Sequence, residues 1–181
     1  EMNTSARGLG AEQGYFSDGI SEDIITDLSK VSALSVIARN TAFGFKGQNP
    51  DVKEVARNLG VSHVLEGSVR KAGNRVRITA QLIDGAMGDH VWADRYDRDL
   101  IDIFEIQDEI SKAIVDALKV NLLPAEKKAI EKRGTANVDA YNLYLMARQQ
   151  WISGGQGKPG REEAIVRLCK QATRLDPDYA Q

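Results

Sequence analysis

The sequence is poor in the residues that build disulfide frameworks, metal centres and membrane spans. Cys169 is the single cysteine among 181 residues, and His63 and His90 are the two histidines. One cysteine excludes an internal disulfide and a thiolate metal cluster, and two isolated histidines do not support a histidine-rich metal centre. No apolar run approaches the ~20 residues of a transmembrane helix, and the first residues lack a signal-peptide pattern. We therefore expect no membrane segment, and we expect Cys169 to be a buried helix residue.

An excess of charge of one sign is also missing. Lysine and arginine number 24 and aspartate and glutamate 26, for a net charge of −2, and the two signs are interleaved along the chain. A nucleic-acid surface needs a basic patch that displaces counterions from phosphates. Nucleic acid is therefore not an expected partner. What is present is typical of a globular protein, with 42% hydrophobic and 28% charged residues.

Hydrophobic periodicity predicts an α/β (α+β) domain in residues 1–123. A period near 3.6 indicates a helix and a period of two indicates a strand. The glycines at positions 8, 10 and 14 predict a loop before the first helix, which Ser17 or Asp18 would cap. The predicted elements are helix 17–32, strand 34–38, helix 51–59, strands 62–70, 75–83 and 90–97, and helix 103–122, which Pro124 would end.

The predicted sheet is small and mixed, with a three-stranded antiparallel meander. In its second strand, the side chains of Val76, Ile78, Ala80 and Leu82 share one face, and charged or polar residues share the other. Helices are therefore expected to pack on one face of the sheet only.

The remaining residues predict a charged helical connector at 124–137 and a helical hairpin at 138–181. Its helices are expected at 138–152 and 161–175, separated by a segment with four glycines and one proline. Ala172, Leu175 and Pro177 resemble the end of a tetratricopeptide repeat, in which a small residue allows close packing. Ile165 and a long loop depart from that repeat. An unrelated helical hairpin remains the alternative.

Two groups of residues are candidates for a ligand or partner surface. The polar cluster around Asp94, with Glu66 and Arg77 expected nearby across the sheet, is either a solvated ladder of opposite charges or a ligand site. On the first hairpin helix, the second candidate surface consists of Tyr141, Tyr144, Arg148 and Trp151. No combination of acid, base, nucleophile or phosphate-binding loop is recognisable, so no catalytic, cofactor-binding or metal-binding residues are predicted.

Several ordered motifs resemble one bacterial family. They include Tyr15–Ile25, Val36–Asn40, Val55–Gly60, Val64–Arg70, Val76–Asp84, His90–Asp97 and Asp102–Asp108. Together they resemble the TolB N-terminal-like (FlgO-type) module of bacterial signalling proteins. In that family the module lies between an output domain and tetratricopeptide repeats. The output domain is most often a class III adenylate cyclase and sometimes a winged-helix transcription regulator. The resemblance also implies a first strand upstream of Glu1, so we expect a fragment of a longer chain.

The resulting functional expectation is a non-catalytic regulatory region of a multidomain signalling protein, most often an adenylate cyclase in cAMP signal transduction. A protein partner or a second copy would bind through the repeat-like helices or the sheet edge. A small-ligand sensor, the equivalent region of a winged-helix regulator, and an enzyme in its own right are the alternatives. A cytoplasmic location is expected, or a periplasmic one if a transmembrane helix lies upstream.

Overall fold

The computed structural model describes residues 4–48, 50–153 and 160–179, without the side chains of residues 4–13 and 153. The fold class is α+β, as predicted. The chain forms two compact units: a sheet unit of residues 20–131, and a helical unit of residues 1–19 and 132–181. The elements are α1 (Thr4–Ser29), α2 (Arg39–Phe43), α3 (Val52–Leu59), β1 (His63–Ala72), β2 (Arg75–Asp84), β3 (His90–Asp99), a 3₁₀ turn (Leu100–Asp102), α4 (Ile103–Ala117), α5 (Pro124–Glu131), α6 (Val138–Ser153) and α7 (Arg161–Leu175).

The sheet is an antiparallel meander in the order β1-β2-β3. Ala72 pairs with Arg75, so a turn of two residues joins the first two strands. Gly73 in that turn has a φ of +58°, which residues with a Cβ rarely adopt. The predicted hairpin and meander are confirmed.

The core of the sheet unit lies between the meander and α4. Its fully buried residues on α4 recur every three or four positions and are at most 1% exposed: Ile103, Ile106, Ile110 and Ile114. On β2, the predicted apolar side chains Val76, Ile78, Ala80 and Leu82 are at most 6% exposed. Alternation along the strand and helical spacing along α4 thus supply the two apolar faces that pack together.

The predicted strand at 34–38 is wrong. These residues are neither helical nor paired in the described sheet, which is therefore antiparallel rather than mixed. β-branched residues favour a strand only where a neighbouring strand supplies backbone partners and side-chain contacts. No described strand lies beside this segment.

The predicted loop before residue 17 is also wrong, because α1 begins at Thr4. Ser17 and Asp18 therefore lie inside the helix and not at its N-terminus. A glycine inside a helix costs only about 0.5–1 kcal/mol, which packing can offset. Phe16 is 1% exposed, and the backbone of Gly19 approaches Leu145 so closely that a Cβ there would collide with it.

The helix predicted at 103–122 ends earlier, at Ala117. Lys119 takes a positive φ of 56°, which a helix cannot continue through. Pro124 begins α5 instead of ending α4, since a first-turn proline loses no helical hydrogen bond. Helix α3 is confirmed, with Asp51 accepting a hydrogen bond from Lys53 N and with Gly60 at a φ of +66°.

The predicted connector at 124–137 is not a separate segment, and residues 124–131 belong to the sheet unit. Ile130 is fully buried. The carboxylate of Glu126 accepts hydrogen bonds from Ser32 N at 2.9 Å and from Leu123 N at 2.8 Å. These bonds lower the pKa of Glu126, the Ser32 amide having the largest effect. Helix α5 is therefore bonded to other segments of the sheet unit and is part of its packing.

In the helical unit, α6 and α7 pack against each other as predicted. Ala140, Ala172 and Tyr179 form a buried cluster with Leu143 and Tyr144. Residues 1–19, which the sequence interpretation placed in the first domain, belong here, and Tyr15 Oη donates to Asn142 Oδ1 at 3.1 Å. Most of the predicted glycine-rich loop lies outside the described residues.

Cys169 is exposed, contrary to the prediction. Leu168 and Ala172 take the inward positions of α7, and the residue after Leu168 is rotated about 100° away from them.

Candidate functional site

The meander has one face that packs on α4 and one that does not, and the register assigns each residue to a face. Residues directly opposite each other on neighbouring strands point the same way, and successive residues alternate. The buried side chains of β2 define the inner face. We call the other face the outer face; between Glu66 and Asp99 it carries Glu66, Ser68, Arg70, Arg75, Arg77, Thr79, Gln81, Arg95, Asp97 and Asp99.

Asp94 does not belong to the candidate surface predicted for it. It pairs with Ala80, an inner-face residue, whereas Glu66 and Arg77 lie on the outer face. Because successive side chains of a strand point to opposite faces, Asp94 lies on the other side of the sheet from these residues. The predicted trio is therefore wrong as a single site.

The neighbour that Asp94 influences is Tyr96, on the same side of β3. Tyr96 is 7% exposed. Burial, followed by the negative charges of Asp94 and Glu109, raises the pKa of Tyr96 to about 12. The tyrosine is therefore a neutral core residue at physiological pH and not a candidate acid or base.

One end of the outer face is a ladder of opposite charges. Arg77 Nε donates to Asp97 Oδ2 at 2.9 Å, and Arg75 donates to Asp97 Oδ1 at 2.8 Å and to Asp99 Oδ1 at 3.3 Å. Hydrogen bonds from Arg77 and then Arg75 hold the pKa of Asp97 below its ordinary value. The hydrogen bonds that Arg75 donates to Asp97 and then to Asp99 raise the pKa of Arg75. This geometry is that of the solvated ladder that was one of the two interpretations.

Two more side-chain hydrogen bonds connect β1 and β2 on the outer face. Ser68 Oγ and Thr79 Oγ1 lie 2.7 Å apart, and Gln81 Nε2 donates to Glu66 Oε2 at 3.0 Å. Glu66 and Arg77 thus each have a partner on the sheet itself, and neither faces the other.

Two further arginines of the outer face belong to the polar cluster that the sequence predicted around Asp94. Arg70 pairs directly with Arg77, and Arg95 pairs with Thr79. Both are exposed. Within the described part of the chain, neither guanidinium has a carboxylate at ion-pair distance. The sequence could have placed both on the outer face, because their neighbours along each strand are apolar or lie on the inner face.

The second candidate surface, on α6, is only partly a surface. Tyr141 is 4% exposed and belongs to the core. Tyr144 is half-buried and makes an edge-to-face contact with Tyr179, with ring centroids 5.6 Å apart. Arg148 is also half-buried.

Trp151 differs from the other three because it is 68% exposed. The guanidinium of Arg161 lies 5.9 Å from the centre of its ring and donates to Trp151 O at 2.6 Å. The next residue, Ile152, is 45% exposed. The α6 surface that is open to a partner therefore centres on Trp151 and Ile152.

Neither metal sites nor membrane spans are found in the residues that the structure describes. No group of three or more histidine, cysteine, aspartate or glutamate side chains is placed to hold a metal ion there. Within the same residues, no helix combines the length and apolar character needed to cross a bilayer.

The chain is related to part of a longer bacterial protein. It is 59% identical over 169 residues to a protein of Rhizobium meliloti (strain 1021) named "Putative adenylate cyclase 3". The match covers 93% of this chain and 28% of that protein, so the chain spans less than a third of its relative's length. No protein-family model matches the sequence.

Proposed function

We propose that this chain is a non-catalytic regulatory and protein-association segment of an adenylate cyclase-related signalling protein. The observation that carries the proposal is the 59% identity over 169 residues to a segment of a protein named as an adenylate cyclase. The resemblance to a TolB N-terminal-like module followed by a tetratricopeptide-like hairpin supports the same assignment. In that family the catalytic residues belong to a separate domain.

The mechanism follows from how class III cyclases work. Their active sites form between two catalytic domains, so a segment that sets the distance or angle between two protomers changes turnover without contacting ATP. Association in this chain is proposed to use the helical unit, where Trp151 and Ile152 expose apolar surface at the end of α6. Exposed apolar side chains that lie together are typical of protein–protein contacts.

The non-catalytic part of the proposal is tested with the purified chain. Incubation with ATP and Mg²⁺ or Mn²⁺, followed by quantification of cyclic AMP, is expected to give no product above a protein-free control. Formation of cyclic AMP in proportion to the protein concentration would overturn it.

The association part is tested by sedimentation velocity over a range of protein concentrations. We expect the average mass to rise with concentration, and Trp151→Ala to shift that rise to higher concentration. Ile101→Ala is the matched control, because Ile101 is 72% exposed but lies in the sheet unit. Equal behaviour of both variants would remove Trp151 from the interface.

A further inference from the structure

The register of the sheet places like charges where a sheet usually avoids them. Arg70 on β1 is directly opposite Arg77 on β2. Directly opposed residues have Cα atoms only about 4.5–5.5 Å apart, and like charges there are destabilising. Arg77 is compensated by Asp97 on its other side. Arg70 has no carboxylate at ion-pair distance among the described residues.

Arg95 extends this positive region across the third strand. It pairs with Thr79, and Thr79 is two residues from Arg77 on β2. The hydroxyls of Ser68 and Thr79, 2.7 Å apart, lie between the arginines of the two edge strands. The register therefore places three arginines in the row of residues that contains this pair of hydroxyls and in the next row, on an exposed surface. We call Arg70, Arg77 and Arg95, with Ser68 and Thr79, the arginine band.

The shape of the arginine band favours an extended polymer over a small anion. The band crosses three strands, which at about 4.8 Å per strand spacing is roughly 10 Å wide, or three residues of extended chain. A small anion on an open face stays in water, where a single charge pair at 4 Å is worth only about 1 kcal/mol. A segment with several carboxylates contacts more than one guanidinium at once, and each arginine can bind a carboxylate through two parallel hydrogen bonds.

We propose that the arginine band is the docking site for a short acidic segment of a protein partner. Charge complementarity selects such a segment, because Arg70 and Arg95 are exposed and no carboxylate of the described residues lies at ion-pair distance from either. Asp97 lies in the same row of the sheet as Arg70 and Arg77, and its carboxylate is already bonded to Arg77 and Arg75, so carboxylates of the partner bind Arg70 and Arg95. The proposal adds a partner chemistry for the sheet unit and rests on the proposed function of the chain as a protein-association segment.

The test uses the complete 181-residue chain and a fluorescein-labelled hexaglutamate peptide, whose fluorescence anisotropy reports binding at low ionic strength. The test variant is Arg70→Gln/Arg95→Gln. Arg57→Gln/Arg98→Gln is the matched control, because it also removes two positive charges, but from exposed positions outside the band. We expect the test variant to bind the peptide at least about tenfold more weakly than the original chain. The affinity of the control is expected to stay within about twofold of that of the original chain.

Three outcomes would overturn the proposal: no binding of the peptide, equal weakening by both variants, or equal competition by inorganic phosphate at the concentration of peptide glutamate. The last would identify a general anion site. Thermal melting gives an independent readout, because removal of Arg70 relieves its repulsion of Arg77 and is expected to leave the melting temperature unchanged or raised. A marked fall would assign the arginines a structural role instead. Cyclic AMP formation and self-association are separate measurements, so failure here is distinguishable from failure of the proposed function.

Discussion

The sheet unit and the helical unit differ in what their cores are made of. Four isoleucines of α4 in the sheet unit are at most 1% exposed. The core of the helical unit combines aromatic and leucine side chains with alanines, all at most 4% exposed: Phe16, Tyr141, Leu145, Ala140, Ala147 and Ala172. Small residues let helices approach closely, but each of them buries little apolar area. Burial of apolar area stabilises a fold by about 25 cal/mol per Å².

Both units expose some large apolar side chains. Trp151, Ile152, Val166 and Leu175 of the helical unit are 45–68% exposed, and Met87, Val91, Ile101 and Leu123 of the sheet unit are 41–72% exposed. The open face of the sheet carries charge instead. The end of α6 therefore offers an apolar surface and the arginine band a cationic one, and the two suit different partners.

The largest effect is expected in the core of the sheet unit. Ile110→Ala removes a fully buried side chain and is expected to lower the free energy of unfolding by about 2–5 kcal/mol, because it loses apolar contacts and leaves a cavity. The urea midpoint measures this. Ile101→Ala makes the same change at a position that is 72% exposed, and its midpoint should stay near that of the original chain. Similar losses in both variants would contradict the assignment of the core.

A smaller effect is expected at the start of the helical hairpin. Asn137 Oδ1 accepts hydrogen bonds from the amides of Asp139 and Ala140, both at 3.0 Å, and so caps α6. Asn137→Ala is expected to cost about 1 kcal/mol, the usual value of such a cap. Urea unfolding followed by far-ultraviolet circular dichroism measures it. Asn121→Ala, at an exposed position outside the helices, is the control and should change nothing measurable.

Tyr96 gives the sheet unit an alkaline sensitivity. Its pKa is raised to about 12 in the folded state, against about 10 in an unfolded chain. The stability that it contributes is complete below pH 10 and is lost as pH rises from 10 towards 12, because the unfolded state releases the proton first. We expect a loss of roughly 1 kcal/mol by pH 11 that Tyr96→Phe does not have. Urea midpoints at pH 9 and pH 11 compare the two, and parallel losses would refute the assignment.

The smallest effect is expected on the outer face. Asp97→Asn removes the carboxylate that Arg75 and Arg77 share, yet the exposed ladder is screened by solvent and salt. No measurable change in the urea midpoint is expected at pH 7. The lowered pKa of Asp97 means that its contribution is present above the unfolded pKa of about 3.9 and is lost as pH falls below it. A large loss at pH 7 would show that the ladder is structural rather than solvated.

Local pattern predicted the parts of the fold that local physics controls. The meander, the hairpin formed by its first two strands, the inner face of β2 and the hairpin helices follow from periodicity and turn chemistry, and all are confirmed. The predicted strand at 34–38 failed because a strand depends on a partner that its own sequence does not specify. The helix through residues 4–16 was missed because glycines that disfavour a helix in isolation are tolerated where neighbouring residues pack.

The candidate site shows the same division. Sequence identified the charged strands but grouped Glu66, Arg77 and Asp94 across both faces, since pairing register between strands is not encoded in any one of them. Tyr141 was assigned to a surface and is buried, because helical spacing gives the angle around the axis and not which side meets a neighbour.

By itself, the sequence determined the α+β class, the meander and the pair of terminal helices, because each depends on side-chain periodicity within one short segment. Tertiary structure decided which residues share a face, and it left Arg70 and Arg95 without a carboxylate at ion-pair distance among the described residues. It also assigned residues 1–19 to the helical unit rather than to the sheet unit. Those outcomes depend on contacts between different segments of the chain, such as the pairing of Arg95 with Thr79 and the hydrogen bond of Tyr15 with Asn142.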